Sequence, residues 1–128
     1  MTYSVLYVDD EPALLDIGKI FLEASGEFTV TTINSAECAL SELSKRCFDA
    51  IVSDYQMPKM NGLTFLEKIR AAGNPVPFII FTGQDREELV IEAINAGADF
   101  YLQKGDASKA QFAELARRIK MAIEFKKH

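Results

Sequence analysis

Asp9, Asp10, Asp54, Thr82 and Lys104 each stand where a short apolar run of this sequence stops. Asp54 is the central one. The run Ala50-Ile51-Val52-Ser53 delivers it, and Pro58 keeps the following loop from turning helical. A carboxylate that ends one strand carries little information alone, because aspartate commonly starts turns. The set carries more: three carboxylates, a hydroxyl and an ammonium, provided that a fold brings the ends of the runs together.

Gathered in one place, the carboxylates would repel one another, and one or more would take up a proton unless a cation neutralised them. A hard divalent ion suits this set. Magnesium prefers oxygen ligands at about 2.0–2.1 Å, keeps some of its waters, and commonly joins a carboxylate or two to a phosphate. No histidine or thiol lies nearby in sequence, which disfavours zinc and copper. Asp54 could then attack phosphorus as a carboxylate nucleophile and form an aspartyl phosphate. Lys104 would offer an ammonium to the phosphoryl oxygens and Thr82 a hydroxyl donor. Taken singly, a lysine after a strand is an ordinary surface charge, threonine an ordinary strand residue, and acids before a helix ordinary dipole partners.

The elements that must position these groups alternate regularly. Ser4-Val5-Leu6-Tyr7-Val8 reads as a strand that stops at Asp9-Asp10-Glu11-Pro12, with Pro12 suited to the first position of a helix. Leu14, Leu15, Ile17, Ile20, Phe21 and Leu22 then recur at helical spacing as far as Gly26. Residues 28–33 alternate apolar and polar and predict an edge strand, followed by a helix capped by Asn34 or Ser35. After the Asp54 strand, Asn61-Gly62 gives a turn signal, and a helix carries Leu63, Leu66 and Ile69. Phe78-Ile79-Ile80-Phe81 is a buried strand that ends at Thr82-Gly83, and Asp85 with Glu88 forms a capping-box pattern for the fourth helix. Residues 100–103 predict the fifth strand, and a helix from about Ser108 puts Phe112, Leu115, Ile119 and Ala122 on one face. Its cations Arg117, Arg118 and Lys120 read as a solvated face. Strict alternation of strand and helix implies an α/β fold with a doubly wound five-stranded parallel sheet, flavodoxin-like order 2-1-3-4-5, and helices on both faces. In that order the strand ends bearing Asp9, Asp10, Asp54, Thr82 and Lys104 share one rim, the usual ligand crevice of such sheets.

The 128 residues predict one domain with its own hydrophobic core. A net charge of −5 argues against a nucleic-acid surface, and no apolar run approaches the roughly 20 residues needed to cross a bilayer. The two cysteines, Cys38 and Cys47, follow no metal-ligand spacing and read as small apolar residues in a reducing, cytoplasmic compartment.

From end to end the sequence resembles a response-regulator receiver domain of two-component signalling, the CheY-like family. Asp9-Asp10 match its acidic pair, Asp54 its phosphoacceptor, Thr82 its switch hydroxyl, Tyr101 its switch aromatic and Lys104 its lysine. The resemblance implies phosphorelay signalling, with a phosphoryl group accepted on Asp54 from a phosphohistidine kinase in a magnesium-dependent reaction. It further implies that Asp10, Asp54 and the backbone carbonyl of Gln56 ligate magnesium directly, with Asp9 acting mainly through water. Gly83 matches the small residue that leaves phosphate access open, and the side chains of Gln56 and Gln84 would tune phosphate lifetime. One departure is Gly105, where receivers commonly place proline after a cis peptide, so a trans bond is expected here. The segments 78–83 and 101–105 are similar to receivers at the N-terminus of multidomain sensor histidine kinases, which favours a fragment over a free-standing receiver.

The partners so implied are a cognate histidine kinase or phosphotransfer domain and a downstream protein or attached signalling domain. A phosphorylation-linked homodimer is a further one, while nucleic acid and membrane are not expected. The chain would be no enzyme beyond its own phosphoryl transfer and dephosphorylation. Three other readings share parts of the pattern. A flavodoxin-type binder would need neutral donors after the first strand, where Asp9-Asp10-Glu11 repel phosphate. A phosphatase with an aspartyl intermediate needs a second acid near the nucleophile and a lid. A receiver that binds its partner without phosphorylation leaves the acid set without a task.

Overall fold

The computed structural model describes residues 2–83, 86–105 and 108–126. Five strands and five helices alternate: β1 (Tyr3–Val8), α1 (Pro12–Glu23), β2 (Phe28–Ile33), α2 (Ala36–Leu43), β3 (Ala50–Ser53), α3 (Gly62–Ala71), β4 (Phe78–Thr82), α4 (Glu87–Asn95), β5 (Phe100–Gln103) and α5 (Lys109–Lys126). All pairings are parallel and the order is β2-β1-β3-β4-β5, as the alternation predicts.

Each strand's period of two divides its side chains between two cores. Val5, Tyr7, Val52, Ile79 and Phe81 pack against α1 and α5, whereas Leu6, Val8, Ile51, Phe78 and Ile80 pack against α2, α3 and α4. β3 and β4 are therefore buried along their whole length and contain almost no polar residue until they end. β2 is the edge. The backbone N–H of Val30 donates to Glu23 and its carbonyl accepts from Lys19, so the open ladder position there is closed by side chains of α1.

The structure resolves several local signals, some within and some against their sequence reading. Asn61-Gly62 is the start of α3: Asn61 Oδ1 accepts the N–H of Thr64 as the cap, and Gly62 is the first helical residue. Ser35, not Asn34, caps α2 through the N–H of Cys38. α4 begins with Arg86 at its cap position and no side-chain cap bond; Asp85 of the expected capping box lies outside the described residues. Cys38 and Cys47 are exposed: Cys38 lies on the face of α2 away from its buried Ala36 and Ala39, and Cys47 lies in the loop after that helix. The cations of α5 are engaged: Arg117 and Arg118 bond Glu114, Arg118 also stacks on Phe100, and Lys120 reaches Glu27 at the start of β2.

Candidate functional site

The ladder itself assembles the site. The N–H of Asp54 donates to the carbonyl of Val8 at 3.0 Å, which lays Asp54 beside Asp9, and the N–H of Lys104 donates to the carbonyl of Thr82 at 2.7 Å. The Gln111 side chain on α5 holds the carbonyl of Gln103 at 2.9 Å and so steadies the end of β5 from which Lys104 projects.

Behind Asp54 the backbone is gripped closely. Ser53 Oγ donates to its carbonyl at 2.9 Å, and a Cβ on Gly62 would lie 2.2 Å from that same oxygen. No residue with a side chain fits there. The loop between β3 and α3 makes a tight turn at Lys59, which has φ 70° while the N–H of Met60 donates to the carbonyl of Pro58 at 2.7 Å.

The result is a cleft of about 580 Å³ with Asp10, Glu11, Asp54 and Lys104 around it, Gln56 to Pro58 on one wall, and Thr82 and Gly83 on another. Lys104 Nζ bridges two buried carboxylates, at 2.7 Å from Asp9 Oδ2 and 3.2 Å from Asp54 Oδ2. Asp9 Oδ1 accepts the N–H of Glu11, so both oxygens of this fully buried carboxylate are used. Asp54 Oδ1 is buried and has no hydrogen-bond partner among the described residues.

Burial raises the Asp9 carboxyl to about 6, against the pull of Lys104. Burial also opposes the charge on Lys104, but the bond to Asp9 and the nearby charges of Asp54 and Asp9 outweigh it and lift the ammonium above its ordinary range. Carboxylate oxygens of Asp9, Asp10, Glu11 and Asp54 all lie within 4.8 Å of one another. An all-oxygen donor set with one orphaned buried oxygen fits a magnesium ion.

All five strand-end residues thus meet at one rim. Tyr101 does not join the cleft: it is half-buried on the α2–α4 side of the sheet, the side toward which Thr82 also alternates. Gln84, Asp106 and Ala107 lie outside the described residues. Lys104–Gly105 is trans, as expected, since no cis peptide bond occurs among the described residues. Sequence reasoning missed Glu11 as a member of the acid cluster, although its adjacency to Asp10 was a usable signal. It also missed Ser53, Gly62 and Gln111, whose roles depend on contacts that no local pattern reports.

A family model described as the response regulator receiver domain matches residues 5–117. The transcriptional regulatory protein FixJ of Bradyrhizobium diazoefficiens is 33% identical over 100 residues, 78% of this chain and 48% of that protein. The response regulator SaeR of Staphylococcus aureus is 36% identical over 100 residues, 78% of this chain and 43% of that protein. The chain therefore spans about half the length of these curated relatives. Among solved structures, the receiver domain of the Francisella response regulator 1452 superposes with a TM-score of 0.88 at 28% identity, covering 98% of this chain and 99% of that one. A receiver domain protein of Clostridium thermocellum gives 0.87 at 31% identity, covering 98% and 97%.

Proposed function

The chain belongs to the response-regulator receiver family, whose members serve phosphorelay signal transduction, and on that premise we propose that Asp54 is its phosphoacceptor. The observation that carries this reading is the bridge from Lys104 Nζ to Asp54 Oδ2 beside an uncommitted Asp54 Oδ1 at an open cleft. An Asp54 oxygen attacks phosphorus while the bond to the donor breaks, so a phosphohistidine leaves as imidazole and an acyl phosphate as carboxylate. Lys104 neutralises the arriving phosphoryl oxygens, and Thr82 offers them its hydroxyl.

Receiver domains bind magnesium at an acidic pocket. Asp10, Asp54 and the carbonyl of Gln56 would hold the ion, with Asp9 acting through water, and the ion would screen the negative charge that gathers at Asp54. Asp9 does not line the cleft, which suits an indirect role.

We take residues 1–128 as one receiver domain in the cytoplasm; no helix among the described residues is long and apolar enough to cross a membrane. Its phosphodonor is the phosphohistidine of a histidine kinase or phosphotransfer domain. Its output runs through Thr82 and Tyr101 to the surface of α4, β5 and α5, where a downstream protein, an attached domain or a second copy reads it. The test is incubation with acetyl phosphate and magnesium followed by intact mass measurement. Wild type should gain one phosphate and Asp54→Asn none; an unchanged adduct in the variant overturns the assignment.

A further inference from the structure

Ile33, Val8, Ser53, Ile80 and Tyr101 are register partners across the sheet, one row beneath the rim of the cleft. By strand alternation all five face α2, α3 and α4, where Ile33, Val8, Ile80 and Tyr101 belong to the apolar core. Ser53 is the odd member. It is completely buried, and packing alone would be served as well by alanine or valine. A buried hydroxyl is tolerated when it has a partner. Here the partner is the carbonyl of Asp54, to which Ser53 Oγ donates at 2.9 Å.

That carbonyl stands where the ladder stops. The N–H of Asp54 is still held by Val8 at 3.0 Å, whereas its carbonyl takes no backbone N–H among the described residues. The first residue of α3 presses on the same peptide: a Cβ on Gly62 would lie 2.2 Å from the Asp54 carbonyl oxygen and 3.1 Å from Tyr55 Cα. The N–H of Gly62 also donates to the Tyr55 carbonyl at 2.7 Å. The peptide that leaves Asp54 is thus held by a hydroxyl before it and a glycine after it.

The direction of that carbonyl is the ψ angle of Asp54, and the rotamers open to a side chain depend on its backbone angles. The carboxylate has few other guides. Its Oδ2 shares Lys104 Nζ with Asp9, and its Oδ1 has no partner among the described residues. Misplacing an attacking oxygen by about 1 Å can cost a large factor in rate.

We propose that Ser53 is a positioning residue for phosphoryl transfer: its hydroxyl fixes the carbonyl of Asp54 and, through the backbone angle so set, the aim of the Asp54 carboxylate into the cleft. This inference rests on the reading of Asp54 as phosphoacceptor given above. Ser53 itself touches neither the phosphodonor nor the ion.

Threonine and valine share a shape and differ in the hydroxyl, so three substitutions separate positioning from packing. If Ser53 only fills the row, Ser53→Thr and Ser53→Val should behave alike. If it positions Asp54, Ser53→Thr should group with wild type, and Ser53→Val with Ser53→Ala. Phosphate uptake from acetyl phosphate with magnesium is followed by intact mass, below the melting temperature of each variant. Ser53→Ala and Ser53→Val should be at least about 5-fold slower than wild type, and Ser53→Thr within about twofold of it. Affinity for beryllium fluoride, a phosphoryl mimic, should follow the same order. Equal rates in Ser53→Thr and Ser53→Val overturn the role, and so does a smaller loss in Ser53→Ala, which decides alone if the larger side chains do not fold. Asp54→Asn separates the two layers. If it takes up phosphate, the reading of Asp54 fails and the Ser53 role falls with it. If it takes up none while Ser53→Ala keeps the wild-type rate, only the Ser53 role falls.

Discussion

The two rims of the sheet are built from the same residue types and treat them in opposite ways. At the rim where strands begin, Arg70 of α3 donates to the carbonyls of Asn74, Val76 and Gly97 and lies 3.6 Å from Asp99. Asp99 in turn accepts the N–H of Phe78 at 2.8 Å and faces Lys126 at 3.4 Å. Cation and carboxylate are both fully used there. At the rim where strands end, one lysine serves two aspartates and a buried carboxylate oxygen is left over. A charge cluster with every valence used is mechanical. One with a valence to spare can take a ligand, and the fold pays for it in electrostatic repulsion.

The largest expected effect breaks the mechanical rim. Arg70→Ala would leave three carbonyls and Asp99 short of donors in a partly buried place, at a cost of about 2–4 kcal/mol of stability. Urea unfolding measures it. Below its melting point the variant should still take phosphate on Asp54; normal stability would mean that the clamp carries no weight.

Relief of the chemical rim should have the opposite sign. Asp10→Asn removes one charge from a cluster of four carboxyl groups, so in metal-free buffer it should melt at or above wild type. It should also lose most of the rise in melting temperature that magnesium gives wild type, since an ion that binds only the folded state stabilises by mass action, about 2.7 kcal/mol at 100 times its dissociation constant. An equal magnesium response in both proteins would remove Asp10 from the ligand set.

The acid rim should also show itself in pH. Asp9 titrates near 6 in the folded domain against an ordinary 3.8, so between those values the folded state holds its proton more firmly than the unfolded chain. The contribution of Asp9 to stability is therefore largest below about 4, falls as pH rises toward 6, and is flat above that. Metal-free unfolding should show this fall, on the order of 3 kcal/mol, and Asp9→Asn should flatten it. A wild-type profile without that slope would mean that Asp9 is not held against its charge.

The strand ends were legible because β3 and β4 are buried on both faces, so a polar residue that terminates either is conspicuous. Asp54 and Thr82 announce themselves in this way. The alternation of elements carried the sheet order as well. What stayed hidden depends on contacts across long sequence separations. Tyr7 and Gly18 lie on different elements, and only the packed structure joins them, the Tyr7 ring filling the space that a side chain at Gly18 would need. Arg70 looks like any helical arginine until Gly97, 27 residues on, presents its carbonyl. Asn61-Gly62 reads from sequence only as a turn signal before the helix; that its glycine answers the close approach of the Asp54 carbonyl is visible only in the packed structure.

The smallest expected effect lies in α4, which runs from one rim toward the other. Its C-terminal end is held where Arg70 grips the Gly97 carbonyl, while its N-terminal cap, Arg86, makes no side-chain cap bond. A helix fixed at one end moves by swinging. If Thr82 draws toward a phosphoryl group and Tyr101 turns inward, the displacement of α4 should be greatest at Glu87 and fade toward Asn95. Amide NMR shifts with and without beryllium fluoride should therefore decline along the helix. Thr82→Ala should keep the adduct and lose the gradient. Arg70→Ala, studied below its melting point, should flatten it by freeing the far end. Uniform shifts along α4 in wild type would mean that the helix translates as a body and that the Arg70 clamp is no pivot. Equal shifts in wild type and Thr82→Ala would move the readout to the loop from Gln56 to Gly62 or to Gly105.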